Sequence, residues 1–524
     1  MTGTWVTFLP PLILCAAGGM IVAGGRVVRR PALWPALSLS AILIAGGMVF
    51  AVASPDVSQG TPGLFGIGTT AGLLSVGGLL CLTMGRGERM GSAAETHGLF
   101  LVGLAGALLI GVVDDAILLL VGLELCGFAG VGLIAASTDA TNARRLAMTG
   151  LKLQATAAVL LLLGVVLLCS GCETTSLRAC REFFVAASGT EGGGGGGSLW
   201  GKASLVLIVA GLAVRLLFVP FHFGSPLVVA RSSLVASGYL LVIVRAAALV
   251  ALFRLAVQTM PGCETAALVV AIVLSAGTML VGTALAINRV RLRETIVWLV
   301  IGHGGVVLFG LAAYWGRASS STIGLPVSLA LLRGEAAAGL SAVVGLLSAT
   351  GILAVLQFLR RNDRPLTFLD ELQGLFRTRP LAAAAMAVLL LNLVGVPPLP
   401  GFWARLWTLL SALSIAREST DAALTPHPAF VGLGAILVIQ ILLSAAVAWR
   451  IIAVMLFEPP VGQVPAEGGR AALGSALICA VLTLATGLAP TKTVGWMDAV
   501  IPSPGNTPAS ATASEGKSLT ETSR

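Results

Sequence analysis

Charge is what this sequence has least of: charged side chains make up 10% of 524 residues, against about 25% in a soluble domain. No aqueous fold hides the 56% of hydrophobic residues present, so the bilayer is the expected solvent. Signatures for nucleotides and redox groups are missing as well. There is no GxGxxG at a strand-to-helix turn, no Walker-type loop and no cluster-binding cysteine run, which excludes nucleotide, flavin and iron-sulfur sites from this chain. The eight cysteines show no metal-ligand spacing. Cys15, Cys81, Cys126, Cys263 and Cys479 fall in or beside apolar runs as small packing residues. Cys169, Cys172 and Cys180 admit one disulfide, with the pairing open. Lysine is scarce too, at four residues against twenty-eight arginines. The net charge of +9 does not point to nucleic acid, because most arginines lie in short loops between apolar runs, where membrane orientation requires them.

What the sequence does have is apolar runs of 18 or more residues, each long enough to cross a hydrocarbon core of about 30 Å. Broken at Gly, Pro and charge, they predict an all-α polytopic membrane protein of fourteen spans. These fall near 5–25, 32–54, 64–84, 97–112, 115–137, 147–169, 203–222, 233–257, 264–287, 294–314, 325–359, 380–413, 428–457 and 471–490. Met1 to Gly25 has no early basic residue and is expected to be a retained helix, not a cleaved signal. The runs at 325–359 and 380–413 exceed one span and must tilt, break or protrude. Gly395, Pro397, Pro398 and Pro400 predict that the second one breaks. Residues 1–500 form one membrane domain, with 97–413 as its core. The glycine-rich segment 171–201 is expected to be a flexible outer loop and 501–524 a disordered tail.

Positive charge alternates with this span count. Loops that follow odd-numbered spans hold Arg26, Arg29 and Arg30, then Arg86 and Arg89, then Arg144 and Arg145, then Arg289, Arg291 and Arg293, then Arg360, Arg361, Arg364, Arg377 and Arg379. Those that follow even-numbered spans carry little. A missed or invented span would break the alternation, and the positive-inside rule places the arginine-rich side in the cytoplasm with both termini outside.

Against that apolar background a few ionisable residues stand out, each costing on the order of 2.5–3.5 kcal/mol at mid-span unless paired, hydrated or used. Glu124 lies in the middle of the fifth span. Arg215 and His222 flank Pro220, which frees a carbonyl of the preceding turn and predicts a water-accessible break. Arg245 has apolar neighbours for more than a turn on either side. His303 lies three turns into its span, and its ordinary pKa suits proton exchange. Arg405 follows the proline-rich break, where exposed helix ends can hold ions or water. A scaffold has use for one or two such charges in helix association, but five on separate spans predict a hydrated polar chain at mid-membrane depth, and hence ion translocation.

Four stretches in this order, VPFHFGSP, INRVRLRETIVWLVIGHGG, LDELQGLFRTRPLAAAAM and LVGVPPLPGFWARLW, resemble the antiporter-like, proton-channel subunits of respiratory complex I (NADH:quinone oxidoreductase) and of the wider Mrp antiporter superfamily. Fourteen spans and a basic residue on the twelfth are most like the subunit N branch. The resemblance implies an inverted-repeat fold with discontinuous helices near spans 7 and 12. It implies a subunit of a proton-translocating NADH:quinone oxidoreductase, in a bacterial inner membrane, with other membrane subunits, lipid and protons as partners. NADH, FMN, iron-sulfur clusters and quinone are then expected on partner subunits and none here. By position it assigns the proton path to Glu124, Arg215, Arg245 and Arg405, with His303, His222 and Lys152 beside them. The alternatives are a cation/proton antiporter subunit and a non-conducting structural paralogue.

The chain departs from that pattern where arginine replaces lysine on spans 7, 8 and 12, because a guanidinium does not release its proton. Two mechanisms follow. Either the arginines are fixed charges that order water while His303, His222 and Lys152 exchange protons, or the subunit has kept fold and assembly but not conduction. Leu227 stands where the family has an aspartate, and VVARSSLVAS replaces a proline-rich stretch, which predicts a more regular helix before the eighth span.

Overall fold

The computed structural model describes residues 8–25, 27–28, 33–52, 64–83, 92–136, 140–188, 199–319, 333–361, 364–417, 425–460, 466–493 and 496. Ten helices there are long and apolar enough to cross a membrane, and four shorter apolar helices accompany them. In chain order the helices are α1 Leu9–Gly24, α2 Leu33–Val52, α3 Leu64–Thr83, α4 Ala93–Val112, α5 Ala116–Ala135 and α6 Ala140–Cys172. Next come α7 Leu177–Ser188, α8 Leu199–Leu216, α9 Ser225–Arg231, α10 Leu234–Thr259, α11 Glu264–Ile287 and α12 Leu292–Ser319. The series closes with α13 Gly334–Phe358, α14 Pro380–Val394, α15 Pro400–Leu413, α16 Pro428–Phe457 and α17 Arg470–Leu488. The chain is an all-helical polytopic membrane protein, as its apolar runs predict.

Local chemistry sets the helix ends. Ser92 starts α4 by accepting from the Glu95 N–H, and Asp115 starts α5 by accepting from the Ile117 and Leu118 N–H groups at 2.9 Å. Proline occupies the first turn of α14, α15 and α16, where its missing N–H leaves no bond unmade. The helices differ most in enclosure. The apolar window of α12 is 100% buried, against 28% for α6, so α12 is the axis of the molecule and α6 turns most of its surface outward, with Val159, Leu162 and Val166 exposed. In a bilayer that outer surface faces lipid.

Loop ends sort into two groups, as the charge alternation predicts. At one end Arg254 donates to the Ile110 carbonyl, Asp115 bridges to Ser176, and Arg178 approaches Asp114, which joins the connections after the fourth, sixth and eighth spans. At the other, Arg293 donates to the Ser232 carbonyl, Arg291 bridges to Phe368, and Arg450 donates to the Ile287 and Arg289 carbonyls. That is the arginine-rich end. Arg26, Arg29, Arg30, Arg86 and Arg89, the glycine run Gly192–Gly197 and the tail 501–524 lie outside the described residues.

Two expectations need correction, and one question left open is answered. Within the segment expected to be a flexible loop, Leu177–Ser188 is a helix; it buries Leu177, Cys180 and Phe184 and exposes Phe183 and Val185, so a one-sided apolar pattern holds it against the bundle. Cys169, Cys172 and Cys180 are free thiols, although Cys172 and Cys180 are in hydrogen-bonding contact and burial pushes the Cys180 thiol up. The stretch before the eighth span is not more regular, for the helix stops at Arg231 and restarts at Leu234. Ser233 Oγ accepts from the Ala236 N–H as a new cap, and Ser232 keeps an extended ψ of 174°, because hydroxyls offer the backbone an alternative to helical bonds.

Candidate functional site

Two discontinuities set up the polar interior. The seventh span stops at Leu216, and Leu217 takes a φ of 63°, a left-handed conformation that costs a branched residue energy and holds only where its surroundings fix it. The Phe218 N–H reaches back to the Ala213 carbonyl and the Val219 N–H donates to Thr278 Oγ1 at 3.1 Å. Helix resumes at Ser225. In the twelfth span α14 ends at Gly395, with φ of 87°, and α15 begins at Pro400. Asn392 spans the gap, accepting from the Gly401 N–H at 2.9 Å and donating to Ser348 Oγ at 2.9 Å.

Beside the first break lies an ion pair. Arg215 Nη2 donates to Glu124 Oε1 at 2.5 Å, and Arg215 Nη1 donates to the Leu123 carbonyl at 2.5 Å. Gln154 Nε2 donates to the other carboxylate oxygen at 2.9 Å. The Arg215 side chain is 2% exposed and that of Glu124 21%, so the pair is enclosed on the cation side and reachable on the anion side. A cavity of about 70 Å³, lined by Gln154, Arg215, Leu217, Ser225 and Val228 among others, runs from this pair along the break. Its walls are mostly apolar, with Gln154, Arg215 and Ser225 as the polar members, and its volume is enough to hold water beside them.

Arg245 and His303 form the centre. Arg245 is buried on α10 just after a π-helical turn at Tyr239–Val244, a local widening often found at functional sites. Its Nη2 lies against Gly304 of α12, where any side chain would collide with it. His303 is 1% exposed. Its Nε2 contacts the Ser341 carbonyl at 2.9 Å; a carbonyl only accepts, so Nε2 carries the proton and Nδ1 is the free position. Both Arg245 and Arg405 act electrostatically on this ring.

Arg405 is the far group, 3% exposed. Its Nη2 donates to the Leu393 carbonyl at 2.7 Å and to Gln440 Oε1 at 3.3 Å. The structure thus brings Arg215, Arg245, His303 and Arg405 into the protein interior, on helices that are enclosed or broken, and sets Glu124 at its margin on the half-enclosed, unbroken α5. His222 is placed differently: it lies half-buried in the first break, stacked on Phe223 and edge-on to Trp298. Since Arg289 caps the same Trp298 ring at 5.9 Å, His222 sits between the ion pair and the arginine-rich end.

Lys152 does not join them. It is exposed on α6, whereas Gln154, two residues on and therefore about 200° around the helix, is buried against Glu124. Gln154, Asn392 and Gln440 are polar members of this interior that a search for charge passes over. The signal that could find them is an amide inside an apolar run, a cheaper intrusion than a charge and so a fainter one.

A family model described as NADH:quinone oxidoreductase/Mrp antiporter, TM, matches residues 113–418, the stretch that holds all of these groups except Gln440. The NADH-quinone oxidoreductase subunit N of Paramagnetospirillum magneticum is 28% identical over 469 residues, covering 87% of this chain and 89% of its own. Among solved structures, a chain of respiratory complex I from Thermus thermophilus with bound aureothin superposes with a TM-score of 0.72 at 21% identity, over 94% of this chain and 99% of that one. A chain of the Mrp complex from Dietzia sp. gives 0.76 at 18% identity, over 96% and 97%. Since the matched stretch is more than half of the sequence and carries every charged member of the polar interior, the chain belongs to the NADH:quinone oxidoreductase/Mrp antiporter transmembrane family.

Proposed function

We propose that this chain is a membrane-arm subunit of a proton-translocating NADH:quinone oxidoreductase and that it moves protons along the interior axis from Glu124 to Arg405. The observation that carries this reading is the Glu124–Arg215 pair, enclosed on its cation side, beside a broken helix and a cavity that Gln154, Arg215 and Ser225 reach. A carboxylate held by a guanidinium and an amide is a switchable element: protonating Glu124 removes the charge that holds Arg215, and losing that proton restores the pair. Arg215, Arg245 and Arg405 keep their charge throughout, so they act as fixed cations that orient water while Glu124 and the free Nδ1 of His303 exchange protons. His222 is placed to pass protons between the arginine-rich end and the pair. Lys152, exposed on α6, has no part. The redox groups belong to partner subunits on this reading, and the arginine-rich end faces the cytoplasm.

The test is NADH-driven acidification of vesicles that contain the assembled complex purified through this chain. Glu124→Gln should remove this subunit's share of proton movement while NADH oxidation by an artificial acceptor persists. Parent-like acidification in Glu124→Gln would overturn the assignment. Arg215→Lys pumping better than the parent, with Arg215→Ala unchanged, would overturn the fixed-charge role. The superposition on the Mrp complex favours a second reading, a cation/proton antiporter subunit. It takes precedence if the chain purifies without redox subunits and exchanges protons for sodium with no electron donor.

A further inference from the structure

Among the described residues Arg405 is a buried cation with no salt-bridge partner. Its two acceptors, the Leu393 carbonyl and Gln440 Oε1, are neutral. The charged neighbours that share His303 with it are cationic, namely Arg245. Elsewhere in the molecule Arg215 has Glu124, Arg231, Arg289 and Arg291 share Glu294, and Arg333 has Glu335. Donors are also in surplus at this point. Arg405 Nε and Nη1 have no hydrogen-bond partner, and neither does Gln440 Nε2. Arg405 is 3% exposed and Gln440 0%. The amide orientation is set by chemistry, because Gln440 must turn its oxygen to the guanidinium and its NH2 is then left needing an acceptor. Nη1 lies over Gly395, in the space a side chain would take at the α14–α15 break.

We propose that Arg405 and Gln440 form a binding site for a small monovalent inorganic anion of the halide class. Water satisfies orphan donors but leaves the formal charge uncompensated in a low-dielectric interior, where that imbalance is most expensive. A halide does both, accepting from a single unpartnered N–H of Arg405 and from the Gln440 amide without needing a directed lone pair. Charge chooses the class: one guanidinium calls for one negative charge, and a monatomic anion supplies it with a single acceptor centre. Occupancy takes the local charge at the break from +1 to 0, and so changes the field that Arg405 imposes on His303. The consequence for transport rests on the proton-path reading; the binding itself does not.

The experiment uses the full chain in lipid nanodiscs, with thermal unfolding followed in sodium chloride, sodium bromide and sodium gluconate at fixed ionic strength. The expected result is a saturable rise in midpoint with chloride or bromide and none with gluconate, together with bromide anomalous scattering beside Arg405 in crystals of the complex. Arg405→Gln should abolish the halide-dependent rise. Gln440→Leu should weaken apparent affinity about tenfold, the loss of one hydrogen bond to an ion, and it serves as the second variant if Arg405→Gln does not fold. Glu124→Gln should leave the halide curve unchanged even where proton movement is lost, which separates this proposal from the proton-path reading. Identical curves in chloride and gluconate for the parent, or parent-like halide dependence in Arg405→Gln, would overturn it.

Discussion

Around the α8–α9 break, Arg215 has a carboxylate, a carbonyl and a second side chain, Gln154, that holds the carboxylate in place. Around the α14–α15 break, Arg405 has a carbonyl and an amide alone. Both sites join a broken helix to a buried guanidinium, yet among the described residues only the first holds that cation by a hydrogen bond to a carboxylate. The broken backbone therefore does not by itself make a proton site. It creates room for a charge, and the residue opposite decides whether the charge forms a switch or stays fixed.

The sharpest way to break this comparison is to delete each cation in turn, with halide absent. Arg215→Leu leaves the Glu124 carboxylate half-enclosed and unpaired, and should cost about 3–5 kcal/mol. Arg405→Leu removes a buried charge that has no counter-ion among the described residues, so the same chemical change should be neutral or stabilising by about 1–4 kcal/mol. Equilibrium unfolding of the full chain in mixed micelles reads both. Two losses of similar size would mean that the environments are equivalent and that Arg405 has an anionic partner in the protein.

Double-mutant cycles sharpen the same contrast with smaller energies. Glu124→Gln combined with Arg215→Gln should give a coupling of about 2–3 kcal/mol, as expected of a charge-assisted bond with little solvent. Arg405→Gln combined with Gln440→Leu should give about 1 kcal/mol or less, because a 3.3 Å bond from a cation to a neutral amide is the weaker interaction. Comparable couplings in the two cycles would remove the distinction between a pair and a lone cation.

The first of these two sites is the more legible in the sequence, and the reasons are physical. A charge inside an apolar run is so unfavourable that Glu124, Arg215, Arg245, His303 and Arg405 stand out unaided, and prolines at 220, 397, 398 and 400 mark both breaks. Helix phase is harder. Lys152 and Gln154 lie two residues apart on a helix that is apolar on most of its surface, so hydropathy does not say which of them faces inward, and the charged one draws attention away from the amide. The helix Leu177–Ser188 escapes for the opposite reason, since its one-sided pattern is short and sits beside a glycine run. The cap at Ser233 shows a further limit: two serines read as helix-compatible in sequence, while in the structure their hydroxyls and Arg293, which donates to the Ser232 carbonyl at 2.6 Å, stabilise a stop.

Gln154 also supports the contrast between the two breaks, since it is the second donor that Glu124 has and Arg405 has no equivalent of. Gln154→Leu removes a hydrogen bond to a charged oxygen and should destabilise by about 1.5 kcal/mol. It should also loosen the carboxylate, which a slower proton movement in the acidification assay would report. The smallest expected effect is at Lys152, whose side chain is exposed. Lys152→Ala should change stability by less than about 0.5 kcal/mol and leave proton movement at the parent rate. If Lys152→Ala lowered proton movement more than Gln154→Leu did, the path would run along the outer face of α6 instead of through Glu124, and the pairing of carboxylate with guanidinium at the first break would be a structural feature and not the switch.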